Sequence, residues 1–144
     1  MKKMVSIAVL LIVASLLVFS CKSTGKVNDS TFKRIYDRYF THLILDDAQR
    51  HTVTSGDTLV RIANQYYGNG FYYPVIMLAS RDVVLDPDKI QPGMVLTVPN
   101  LEKNLSDPNA KASVKGVILD CANIEEDRDR ADTARGMRNL SNSL

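Results

Sequence analysis

Histidine and cysteine are scarce in this chain, and their scarcity removes most of the chemistry an enzyme would need. Among 144 residues the only histidines are His42 and His51, whose spacing matches no metal motif, and the only cysteines are Cys21 and Cys121. Hydrolysis calls for a metal cluster, a Cys/His pair or two positioned carboxylates. None is set out here, so no catalytic residue, metal ligand or cofactor is expected. Glycine and proline are also few, at 7 and 5, and no repeat or low-complexity tract is present, which leaves an ordinary globular composition. An excess of one charge is missing as well. Lys2 and Lys3 lie in a segment expected to be removed, and without them 16 of the 18 basic residues stand against 16 acidic ones. A neutral chain without a basic face is poorly equipped to neutralise phosphates or to dock on anionic lipid. Nucleic acid is therefore not an expected partner, and an uncharged one is. The length suits one domain and leaves no room for a catalytic one beside it.

The N-terminus carries a distinct signal. Met1-Lys2-Lys3 is positive, and Met4 to Phe19 is apolar except for Ser6 and Ser15. That run is shorter than the roughly 20 residues of a membrane-spanning helix and has the charged and apolar regions of a secretory signal, assigned to residues 1–20. Val18-Phe19-Ser20-Cys21 closes it, followed by Lys22-Ser23-Thr24-Gly25-Lys26. These residues resemble the lipobox of bacterial lipoproteins, with an aliphatic residue at −3, a small one at −1 and Cys at +1. Phe19 departs from the small residue usual at −2, and an uncleaved signal anchor is the alternative. The resemblance implies that Cys21 receives a diacylglycerol on its sulfur and becomes the mature N-terminus. Two or three acyl chains, at about 0.8 kcal/mol per buried methylene, are enough for stable anchoring. A Cys21–Cys121 disulfide is the ordinary expectation for an exported chain. The lipid role of Cys21 displaces it and leaves Cys121 to pack as a small apolar residue.

Residues 21–30 read as a flexible tether. In residues 31–49, Phe32, Ile35, Tyr36, Tyr39, Phe40, Leu43 and Ile44 fall at three- and four-residue spacing. An amphipathic helix over 31–45 follows, with Ser30 as its N-cap and its apolar stripe packed on the core. Residues 100–144 are expected to be helical. Ser106-Asp107-Pro108 starts a helix, Val114, Val117, Ile118 and Cys121 continue it, and the charged run from Glu125 to Arg130 breaks or exposes it. Ala131, Ala134, Met137 and Leu140 resume a weaker stripe, so the tail is a helical hairpin or one long helix.

Residues 50–99 carry the strongest pattern. Arg50 to Thr54 is rich in β-branched residues and alternates, hence a strand. Ser55-Gly56-Asp57 turns the chain, with Gly56 at positive φ and Asp57 available to cap a helix. Leu59, Ile62, Ala63 and Tyr66 give that helix a buried face, and Gly68 ends it. Pro74 starts a second, short helix over 75–79. Asp86-Pro87 and Pro92-Gly93 are turn dipeptides, the latter with positive φ at Gly93, and Met94 to Val98 is the last strand. Two strands alone are marginal, so both helices must cover one face of an antiparallel pair. Fold class is α+β: a βααβ unit flanked by an N-terminal amphipathic helix and a C-terminal helical hairpin or long helix.

Thr52-Val53-x-x-Gly56-Asp57-Thr58-Leu59-x-x-Ile62-Ala63, Tyr66-Tyr67-Gly68, Pro74-x-Ile76, Asp86-Pro87-Asp88-Lys89-Ile90, Pro92-Gly93 and Val95-Leu96-x-Val98-Pro99 together resemble the LysM module nearly end to end. The resemblance covers about a third of the chain. It implies binding of N-acetylglucosamine-containing glycan, chiefly peptidoglycan or chitin, in a shallow groove between two loops. Carried over by position, Gly56, Asp57, Thr58 and Leu59 form one wall, and Asp88, Lys89, Ile90, Gln91 and Pro92 the other. Loop backbone groups would meet the acetamido amide, and Leu59 or Ile90 its methyl. Tyr66, Tyr67, Phe71, Tyr72 and Tyr73 are read mostly as packing residues. Ser80 stands where the family usually has Asn, and a hydroxyl offers the following loop fewer hydrogen bonds than an amide.

The sequence thus describes a lipid-anchored, non-catalytic protein of the bacterial cell envelope, facing the periplasm and binding glycan. The alternative is an envelope scaffold whose flanking helices bind a protein partner. Lipidation is open to a direct test: Cys21→Ser is expected to abolish incorporation of labelled palmitate and to leave an unprocessed precursor. Label retained in the variant would refute the anchor.

Overall fold

The computed structural model describes residues 29–144, so the signal segment, most of the tether and Cys21 lie outside the described residues. Helix α1 spans Asp29–Tyr39 and tightens into a 3-10 turn at Phe40–His42. Strand β1, Gln49–Thr52, leads to α2, Leu59–Tyr67, and a 3-10 turn at Gly70–Tyr72 runs into α3, Tyr73–Ala79. After a 3-10 turn at Pro87–Lys89 come β2, Val95–Val98, and then α4, Leu101–Ser106, α5, Pro108–Asp127, and α6, Ala131–Ser143. None of the described helices is long and apolar enough to cross a membrane.

The expected βααβ unit is present, with flanking helices at both ends. β1 pairs antiparallel with β2, Gln49 opposite Val98 and Thr52 opposite Val95. Beyond the strand ends the ladder continues: Val53 N–H donates to the Met94 carbonyl at 2.8 Å and Gly93 N–H to the Val53 carbonyl at 2.8 Å. Gly93 has a φ of +92°, which lets the Gln91–Met94 turn bring those groups into line. Leu59, Ile62 and Ala63 of α2 are buried as their spacing requires, and Tyr66 is half-buried.

α3 is the centre of the molecule. Every residue from Tyr73 to Leu78 is buried, so this short helix is apolar all round and is covered on each side. α2 and β2 cover it from within the module, and α1 and α5 from the flanks. The flanking helices come close. An added Cβ at Gly116 of α5 would lie 2.3 Å from the Tyr39 ring, and at Gly136 of α6, 2.4 Å from the Phe71 ring. Cys121 is fully buried and free on α5, and burial pushes its thiol well above the ordinary range.

Three expectations need correction. α1 ends at Tyr39 rather than near residue 45, and Ser30 lies within it rather than capping it. Leu43 is extended, with ψ 129°, and the chain there is held from outside. The fully buried Asn104 accepts from Ile44 N–H at 2.9 Å and donates to the Ile44 carbonyl at 2.9 Å. Leu43 still reaches the core, which is why its spacing mimicked helix. The cap of α2 is not Asp57 but Thr58, whose hydroxyl accepts from Arg61 N–H at 3.2 Å. The Ser80 hydroxyl finds its partners in β2 rather than in the following loop. Buried, it accepts from Thr97 N–H at 2.9 Å and donates to the Thr97 carbonyl at 3.3 Å, tying α3 to β2. In the tail, the hairpin forms: Asp107 caps α5 through Asn109 and Ala110 N–H, and the chain turns through Asp129 at φ 58° into α6.

Asn104→Ala removes the side chain that satisfies both backbone groups of Ile44. Stability is expected to fall by about 2–3 kcal/mol, the cost of stranding buried polar groups. Urea unfolding of the variant measures this, and a loss below about 0.5 kcal/mol, typical of surface sites, would contradict it.

Candidate functional site

The first loop owes its shape to one carboxylate. Asp57 Oδ2 accepts from Thr54 N–H and from the Thr54 hydroxyl, both at 2.8 Å, and lies 3.2 Å from His51 Nε2. Asp57 N–H in turn donates to the Thr54 carbonyl at 3.1 Å. These bonds close the turn and stabilise the charged form. Thr54 N–H foremost, then its hydroxyl and His51, hold the Asp57 carboxyl below the ordinary carboxylate range. Gly56, at φ +89°, occupies a backbone region that L side chains rarely adopt, and its carbonyl accepts from Arg61 Nη1 at 2.7 Å. The other ring nitrogen of His51 is 3.3 Å from the Tyr66 hydroxyl, which links the loop to α2.

The second loop is held by Asp86. Its side chain caps the 3-10 turn by accepting from Asp88 N–H at 3.0 Å, and it pairs with Lys89 at 3.3 Å and Arg128 at 3.3 Å. Burial pushes the Asp86 carboxyl up, but the Asp88 N–H, Arg128 and Lys89 outweigh it and hold the group below the ordinary range. Asp88, Lys89, Gln91 and Pro92 are exposed, whereas Ile90 is half-buried against the core.

The two loops meet over a small cavity of about 120 Å³. Of the nine residues expected from the sequence, Thr58, Leu59 and Asp88 line it. Leu59 is only 2% exposed, so it forms floor rather than contact surface, which leaves Ile90 as the aliphatic group nearer solvent. Gly56, Asp57, Lys89, Ile90, Gln91 and Pro92 shape the adjoining loops without lining the cavity itself. Val60, Tyr73 and Pro87 were not anticipated as lining residues, nor were Glu125, Arg130 and Thr133, which the C-terminal hairpin brings to the same cavity. Nothing local in the sequence joins Asp88 to Arg130. A larger hollow of about 570 Å³ lies elsewhere, with Tyr66, Tyr67, Asn100 and Glu102 in its walls, and includes none of the nine. Among the described residues no group of three or more His, Cys, Asp or Glu side chains could hold a metal ion.

A strand, two helices and a strand, with Thr58 and Asp88 lining one cavity from two loops, define a small βααβ module. Residues 51–99 match the family model of the LysM domain, and this segment is a LysM domain. The potassium binding protein Kbp of Escherichia coli is 40% identical over 72 residues, covering 50% of this chain and 48% of that protein. The alignment is thus longer than the domain, and the chain covers about half of that relative. Two esterases of Mycobacterium tuberculosis, Rv1288 and MT1326, are each 41% identical over 56 residues, or 39% of this chain and 12% of theirs. No solved structure matches the chain.

The Asp57 network predicts a pH dependence. A carboxyl depressed by folding adds stability that is complete above its unfolded value, about 3.9, and disappears as pH falls through the lower folded value. Melting temperatures of the native protein and Asp57→Asn are therefore expected to differ at neutral pH and to converge under strong acid. A gap that is constant with pH would remove the charge from the account.

Proposed function

We propose that this chain is a lipid-tethered, non-catalytic protein of the bacterial cell envelope, facing the periplasm, whose LysM domain binds an N-acetylglucosamine-containing glycan, peptidoglycan foremost. The observation that carries this reading is the LysM segment with its two loops walling one groove, Thr58 on one side and Asp88 on the other. Exposed loop amides and carbonyls suit the acetamido group, and the half-buried Ile90 offers an apolar contact for its methyl. Lipid attachment at Cys21 rests on the sequence pattern.

Other readings have less behind them. The name esterase belongs to relatives that this chain matches over 12% of their length. Cys121 is fully buried with a raised thiol pKa, the wrong setting for a nucleophile. A scaffold role would be favoured by an exposed apolar stripe on the C-terminal helices, but Val114, Val117, Ile118, Ile124 and Met137 are all buried. The potassium binding in the name of Kbp adds a control, because the alignment extends past the domain. Melts in KCl and NaCl at equal ionic strength measure any such preference.

Substitution in the groove tests the reading. Thr58→Asp keeps an oxygen to cap α2 and places a charge against the acetamido group, so stability is expected to change by no more than about 0.5 kcal/mol. Ile90→Asp charges the other wall and costs more, about 1–3 kcal/mol, because the side chain is half-buried. Both are expected to reduce co-sedimentation of the detergent-solubilised protein with insoluble peptidoglycan. Binding unchanged in both would transfer the function to the flanking helices.

A further inference from the structure

The corner between α5 and α6 is charged and lies against the second loop of the LysM domain. Arg128 Nη1 is 2.8 Å from Asp88 Oδ2, and its Nη2 is 3.3 Å from Asp86 Oδ1. Arg130 Nη2 is 2.7 Å and its Nη1 3.3 Å from the two Asp88 oxygens, a fork-on-carboxylate pair. Arg130 Nε also reaches Glu125 Oε2 at 2.8 Å, and Glu125 Oε1 accepts from the buried Tyr73 hydroxyl at 2.9 Å. These contacts bring Glu125, Arg130 and Thr133 to the same cavity as Thr58, Leu59 and Asp88. At about 120 Å³ it is smaller than the ~300 Å³ at which ligand sites begin.

The two ends of this network differ in exposure. The Glu125 side chain is 4% exposed, whereas Arg130 and Asp88 are 40% and 50% exposed. Glu125 is shielded from solvent and salt, and so is most of the Arg128–Asp86 pair, whose side chains are 18% and 12% exposed. The outer Arg130–Asp88 pair is open to both, and ion pairs of that kind hold weakly. Only three residues, 128–130, separate the two helices, so loss of the outer contacts frees the corner without unpacking the hairpin.

We propose that this corner is a latch over the glycan groove: Arg128 and Arg130 grip Asp88, narrow the groove below sugar size, and admit glycan when the ion pairs to Asp88 open. The latch rests on the reading of the groove as a glycan site. Glycan and the corner compete for the same wall, so the affinity of the native protein is reduced by the fraction of molecules that are open. Raised ionic strength shifts the balance towards the open form.

The test is a titration of the detergent-solubilised full chain with insoluble peptidoglycan, with tryptic nicking at Arg128 and Arg130 measured in parallel without glycan. Arg130→Gln alone strands the buried Glu125 carboxylate, so the informative variants are Arg128→Gln and the double change Glu125→Gln with Arg130→Gln, which removes both charges. A latch that is closed in about nine molecules of ten gives roughly tenfold tighter binding when released. Nicking is expected to accelerate at Arg130 in Arg128→Gln and at Arg128 in the double variant. Folded variants that bind equally or more weakly, or whose nicking is unchanged, overturn the latch and leave the glycan reading standing. Absence of binding by the native protein and both variants overturns the glycan reading, and the latch with it.

Discussion

The chain of contacts Tyr73–Glu125–Arg130–Asp88 joins the core and the second loop of the LysM segment to the C-terminal hairpin. Tyr73 opens α3, at the centre of the core; Glu125 lies near the end of α5; Asp88 belongs to the loop before β2. A charge as deep as that of Glu125 is expensive to desolvate, and replacement by an apolar group is often neutral or stabilising. Stability alone is therefore a weak reason for such a network. Its directional bonds accomplish what apolar packing does poorly: they fix where the corner of the hairpin meets the loop. Arg128 adds a third direction, its guanidinium lying 5.6 Å from the ring centre of Phe32 on α1. N-terminal helix, LysM loop and C-terminal hairpin thus meet around two arginines.

What the sequence revealed follows the range of the forces involved. The turn glycines, the strand pair, the buried face of α2 and the Asp107-Pro108 helix start are local patterns, fixed by φ, periodicity and capping, and they read correctly. The end of α1 did not, because Leu43 and Ile44 keep helical spacing while Asn104, 60 positions away, takes up the Ile44 backbone. Asp57 and Thr58 are adjacent and both suited to capping. Tertiary geometry decided between them, because Asp57 is occupied by Thr54 and His51. Arg128 and Arg130 sat inside a run that reads as a solvated helix end, and no local rule pairs them with Asp86 and Asp88. The part of the site that the sequence concealed is the part built across 40 or more residues.

Ser80 ties two elements of the module together through one hydroxyl. An amide would reach more partners, yet the hydroxyl at the end of α3 both accepts from and donates to the backbone of Thr97. The Ser80 carbonyl also receives Val83 and Val84 N–H at 2.9 and 2.8 Å, so the start of the long loop is fixed although its middle is exposed. The second wall of the groove is consequently anchored at one end by Ser80 and at the other by Asp86.

The proposed tether and the proposed glycan groove complement each other physically. One small groove gives weak affinity, because few groups touch the sugar and loop contacts must be ordered on binding. Attachment to a membrane beside the wall, as proposed, would raise the effective concentration of glycan, so weak binding would suffice there and still permit exchange. Under those conditions the useful control is over access rather than over intrinsic affinity. A corner held by shielded and exposed ion pairs supplies access control by charge alone, with no rearrangement of the core. The exposed pairs respond to ionic strength and to competing anions or cations, whereas the shielded ones keep the corner in register for closure. On this reading the hairpin meets the LysM domain at its groove through arginines because charge can release there, while the buried Val114, Val117, Ile118 and Met137 hold the hairpin in place.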